Sequence, residues 1–202
     1  MQATELLESQ HRTVEDLFER FESAQREDKP KIFDEIATAL VAHDAIEREI
    51  FYPACQEELG KDDDVLGESL VEHEMVELCL FRCQDHRDQD DLDKYVTVLK
   101  ELVSHHVEEE EKELFQKATR AFSEERMEEL GEELEERFAE AKQEGFRKPL
   151  EASLKRLHLQ QTPSKRTSKR AKPKQTTSTT TTRQQTAKKH NHVNPLHRYH
   201  QY

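Results

Sequence analysis

The chain has 202 residues, 31 Lys and Arg against 44 Asp and Glu, a formal charge of -13 and only 33% hydrophobic residues. No apolar run reaches the ~20 residues of a membrane span, and the acidic, helical opening MQATELLESQHRTVEDLF is not a secretory signal. Cys55, Cys79 and Cys83 are an odd number without framework spacing, which excludes a disulfide scaffold and leads us to expect a reducing, cytoplasmic location.

The charge is unevenly spread. Residues 1–145 carry 17 basic and 43 acidic side chains, a net of -26, whereas residues 146–202 carry 14 basic and one acidic, a net of +13. The composition breaks near Gly145, and about 145 residues are enough for one modest core.

In chain order, Leu6, Leu7, Val14, Leu17, Phe18 and Phe21 keep helical spacing up to REDKPK. A second helix runs through Ile32, Phe33, Ile36, Leu40, Ile46, Ile50 and Phe51 and closes at Gly60. Leu66, Leu70, Val76, Leu80 and Phe81 define a third, ending in QDHRDQDD. Leu92, Tyr95, Val98, Leu99, Leu102, Val103, Leu114 and Phe115 define a fourth. Each is roughly 20 to 30 residues, or ~30 to 45 Å. The predicted fold is therefore all-α, an up-down-up-down four-helix bundle over residues 1–120. An accessory helix over 121–145, SEERMEELGEELEERFAEAKQEG, has Ser123 as its cap and few apolar positions, so it should pack on the outside. Residues 146–202 read as a basic, low-complexity, disordered tail, in which Leu150, Leu154 and Leu157 can form one short helix at the start.

Each bundle helix carries one histidine in its apolar stripe, with a carboxylate four residues on: His11 and Glu15, His43 and Glu47, His73 and Glu77, His106 and Glu110. An i, i+4 pair faces one way. One such histidine is ordinarily a hydrogen-bonded core residue. Four at matching depth in antiparallel helices meet at one point, where buried carboxylates without a cation are costly. The set exceeds the four ligands of a tetrahedral zinc, and its mixed nitrogen and oxygen donors suit two iron ions, with manganese as the alternative. No nucleophilic triad, phosphate loop or nucleotide motif is present.

The motifs ESQHRTVEDLF, HDAIEREIFYP, VEHEMVELCL and HHVEEEEKELF, in order over residues 1–118, resemble the hemerythrin-like family with its HHE cation-binding domain. The resemblance implies two irons bridged by carboxylates and an oxo or hydroxo group. One would be held by His73, His106 and Glu77, the other by His11 and His43, with Glu47 and Glu110 as bridges. His105 and Glu109 fall off the stripe, and Glu15 is the weakest of the four carboxylates as a ligand. Oxygen-carrying members have histidine where Glu77 stands, and an anionic ligand favours ferric iron, which weighs against reversible carriage. The implied function is binding of, or reaction with, dioxygen, peroxide or nitric oxide. The alternatives are an iron or oxygen sensor acting through the fifth helix or tail, and iron storage. Lys165, Arg166, Lys169, Arg170, Lys172 and Lys174 form a basic patch suited to non-specific contact with nucleic acid or an anionic surface, or to resting on the acidic bundle.

Overall fold

A computed structural model gives the structure of residues 1–60 and 63–156, which form helices and, among the described residues, no strand. The basic patch and the rest of the tail lie outside the described residues.

The bundle consists of four rods. The first is α1 (Ala3–Ser23), where the Gln2 amide donates to the Glu5 carboxylate at 3.0 Å and so satisfies one free amide of the first turn. The second is α2 (Lys29–Ile46), a π-helical turn (Glu47–Phe51) and α3 (Tyr52–Leu59), closed by Gly60 at φ +99°. The third, α4 (Asp64–Asp85), starts with the Asp63 carboxylate accepting from the Leu66 amide. The fourth is α5 (Leu92–Glu109), a second π turn (Glu110–Leu114) and α6 (Phe115–Ala121).

The π turns were not expected, and both begin at the glutamate of an HxxxE pair. At 100° per residue, four residues of α-helix overshoot a full turn by about 40°. His43, Glu47 and Phe51 are all buried, as are His106, Glu110 and Leu114. Two successive four-residue steps would swing the third residue off the core face, and a locally widened turn holds it there.

The buried apolar residues separate into two clusters, one around Phe18, Phe33 and Leu99 and the other around Leu7, Phe51 and Leu114. Along the first rod the second cluster (Leu7) precedes the histidine and the first (Val14, Phe18) follows it. The order reverses in the second rod, returns in the third (Leu66, His73, Leu80) and reverses again in the fourth. That alternation is the up-down-up-down topology, with the histidines forming a polar layer between two apolar ends.

Ser123 caps α7 (Glu124–Glu144) by accepting from the Arg126 amide, and Gly145 ends it at φ +71°. Met127, Leu130, Gly131, Leu134 and Ala141 line its buried face, and the helix packs on the outer flank of α1 and α2. Gly131 is required there, because a Cβ would lie 2.1 Å from the Met1 carbonyl oxygen where the start of the chain crosses the helix.

The composition break near Gly145 is not the end of the folded chain. Residues Arg147–Arg156 form α8, packed against α4, with Phe146, Leu150 and Leu154 buried. Their four-residue spacing makes an apolar stripe inside a basic segment, and the short helix expected at the start of that segment runs to Arg156.

Candidate metal centre

All four stripe histidines are buried, at 5 to 7% exposure, and Glu47 and Glu110 are fully buried. Nε2 of His11 lies 3.1 Å from Nε2 of His43, and Nε2 of His73 lies 3.1 Å from Nε2 of His106. Each of these rings holds its other nitrogen against an acceptor. His11 Nδ1 meets Glu111 at 2.8 Å, His43 Nδ1 meets Gln10 Oε1 at 2.8 Å, His73 Nδ1 meets Asp44 at 2.6 Å and His106 Nδ1 meets Glu72 at 2.9 Å. A carboxylate or amide oxygen only accepts, so Nδ1 carries the hydrogen and Nε2 presents a lone pair in the neutral ring. Two lone pairs at 3.1 Å repel unless a proton or a cation joins them.

The carboxylates tie the two pairs together. Glu47 Oε1 is 3.0 Å from His43 Nε2 and its Oε2 is 3.2 Å from His73 Nε2. Glu110 Oε2 is 3.4 Å from His11 Nε2 and 3.8 Å from His106 Nε2. Yet all four oxygens of Glu47 and Glu110 are buried without a hydrogen bond. Buried oxygens that converge on imidazole nitrogens without hydrogen-bonding geometry fit a metal ion as their partner. Within this buried layer two groups of donor atoms are close enough to hold a cation: His11, His43, Glu47 and Glu110 in one, and Glu47, His73 and His106 in the other.

Without a cation the layer must hold protons. Burial acts to lower the His11 pKa, but Glu110 and Glu111 outweigh it and bring it up to about 9. Burial acts likewise on His73, where Asp44 and Glu47 raise it to about 10. One ring of each facing pair thus takes the extra proton. Burial would raise Glu47, but His43 and His73 pull its carboxyl well below the usual range.

Glu77 does not join either donor group. It is buried on the wall of a cavity of about 40 Å³ beside the histidines, with Arg48 Nη2 3.9 Å from its Oε2. Glu15 points out and pairs with Arg12. His105 and Glu109 lie off the stripe, on the outer face.

Sequence reasoning missed five residues. Gln10, Asp44, Glu72 and Glu111 orient the rings, and the Tyr52 hydroxyl stands 3.0 Å from His73 Nε2. A signal existed, since each orienting residue sits next to a site residue on its own helix and serves a histidine on another. Neighbours turned by 100° point at the flank between helices. At the place equivalent to Tyr52, Phe115 stacks on His11 with ring centroids 5.8 Å apart, so at this place one half has a hydroxyl and the other has none. Burial, then Glu110 and Glu47, raises the Tyr52 pKa well above that of an ordinary phenol.

A four-helix bundle with inward imidazoles and carboxylates at mid-depth defines a class of metal-binding bundle proteins. Residues 2–118 match the family model described as the hemerythrin HHE cation binding domain, more than half of the chain, and the chain belongs to that family. No curated protein matches it. It is similar to the crystal structure of a hemerythrin HHE cation binding domain-containing protein, the Rv2633c homolog from Mycobacterium kansasii. The two share 22% identity and a TM-score of 0.66 over 76% of this chain and 99% of that one, a likeness of fold.

Proposed function

We propose that this chain is a non-haem di-iron protein that binds or reacts with dioxygen, peroxide or nitric oxide. The observation that carries the reading is the paired arrangement: two facing imidazole pairs at 3.1 Å, spanned by the buried Glu47 and Glu110. His11 and His43 would hold one ion, His73 and His106 the other, and Glu47 and Glu110 would bridge. Glu77 is proposed as a further donor from the cavity wall, and Tyr52 gives the His73 half an oxygen donor that Phe115 denies the other. Mixed nitrogen and oxygen donors favour iron, with manganese as the alternative.

When bound, two irons supply one-electron redox changes and open positions for a small ligand. The chain provides the remaining conditions. The cavity of about 40 Å³, walled by Val14, Leu40, Leu80 and Val103, has room for a molecule of about two or three heavy atoms. Its apolar wall limits competing water, and Asp44, Glu72 and Glu111 fix the rings so that Nε2 faces inward. Such a volume gives no support to iron storage.

A sensor reading has one observation in its favour. The π turn that starts at Glu47 is tied to α7 by Arg137, which donates to Glu49 at 2.7 and 3.3 Å. A shift at Glu47 would thus reach the accessory helix.

The test is metal analysis of protein purified without an affinity tag, with visible absorption recorded before and after peroxide. Two irons per chain and an oxidant-dependent spectrum are expected, and the His43→Ala, His106→Ala double variant should lose both. Iron bound undiminished in that variant would refute the ligand set. Oxidant-dependent protection of α7 from proteolysis would favour the sensor.

A further inference from the structure

Three of the four residues that orient the imidazoles are anionic, and two of them have a basic partner. Arg48 Nε donates to Asp44 at 2.6 Å, and Arg12 donates to Glu111. Glu72 is different. One of its oxygens accepts from His106 Nδ1, and the other faces His105 Nε2 at 3.5 Å, on the α4–α5 face. The same His105 nitrogen lies 3.5 Å from Glu109 Oε1. Among the described residues no Lys or Arg pairs with Glu72 or Glu109. Two carboxylates and an imidazole therefore converge where the other two anionic positions have a guanidinium.

The separations fit a cation better than hydrogen bonds. At 3.5 Å both contacts exceed the usual N–H···O range. Donors at ~2.1 Å from a tetrahedral ion stand about 3.4 Å apart. The three donor atoms lie within 4.8 Å of one another. The His105 side chain is 63% exposed and Glu109 41%, which leaves the fourth position to water and lets an ion come and go.

We propose that Glu72, His105 and Glu109 form an outer cation site that takes a divalent transition-metal ion from solvent and passes it to the His73–His106 half. One imidazole and two carboxylates suit Fe²⁺, Zn²⁺, Mn²⁺ or Co²⁺. Glu72 is the link, since it touches the outer imidazole with one oxygen and the inner one with the other. The passage inward rests on the di-iron reading above, whereas the outer site stands without it.

The test uses the full chain, freed of metal by chelation and titrated with Co²⁺ in a calorimeter, beside the single variants His105→Ala and Glu109→Gln. Neither residue belongs to the inner donor groups, and the histidines of the tail are common to all three proteins and cancel. Each variant should bind one equivalent fewer, and stopped-flow filling of the buried pair should slow about ten-fold. An unchanged count in both variants overturns the site. A lost equivalent with unchanged filling rate overturns its role in supply. If the buried pair takes no metal in any of the three while the outer equivalent is still lost on substitution, the di-iron reading falls and the outer site remains.

Discussion

At the residue scale, protons and cations compete for the same Nε2 atoms. The unfolded histidine value of 6.5 is raised to about 9 at His11 and about 10 at His73 in the folded, metal-free chain. The stability these groups contribute is complete below pH 6.5 and is lost as pH climbs through those folded values. The melting temperature of metal-free protein should therefore fall between pH 6.5 and about 10 in a thermal series, and the metal-loaded protein should not share that fall. Metal uptake at pH 7 should expel the His11 and His73 protons, visible as a dependence of the binding heat on the buffer. Asp44→Asn keeps the shape but weakens the acceptor at His73 Nδ1, so metal affinity should drop about 10–100-fold in chelator competition while the fold persists.

At the same scale, the sequence was most legible where a residue's role follows from its own helix. His11, His43, His73, His106, Glu47 and Glu110 lie on apolar stripes and could be chosen by counting in threes and fours. The orienting residues could not, because Gln10 serves His43 and Glu72 serves His106 across an interface between rods. Glu77 satisfies the same count but lies on the cavity wall, beside Arg48 rather than in a donor group.

At the element scale, the π turns at Glu47 and Glu110 were invisible beforehand because no residue type selects for them. They answer the need to keep three buried residues in line. Composition shows little of α8 for a related reason: it averages over both faces of the helix, whereas apolar burial concerns Phe146, Leu150 and Leu154. Full burial of one such side chain contributes about 1.5–3 kcal/mol. A chain ending at Gly145 should thus lose of order 5 kcal/mol in denaturant unfolding relative to one ending at Arg156. Gly131 supplies a second check. Alanine for glycine in a helix interior ordinarily stabilises by about 1 kcal/mol. Here the added methyl meets the Met1 carbonyl, so Gly131→Ala should destabilise by about 1–3 kcal/mol in the same assay.

At the scale of the whole molecule, the bundle carries the acid and the tail carries the base. Bundle metal content should survive removal of everything after Arg156, because both inner donor groups lie on the four rods. Among the described residues no helix is long and apolar enough to cross a membrane. The topology was readable from four stripes of similar length joined by short polar connectors, a pattern with few economical solutions.

The polar layer between two apolar ends has a consequence for cooperativity. Stripped of its ions, the domain is two greasy caps joined by a charged waist, and nothing obliges the caps to melt together. A chelated sample should broaden or split its calorimetric transition, with amide exchange differing between the ends. Restoring metal rivets the waist from four rods at once, and the caps should then come apart as a single body.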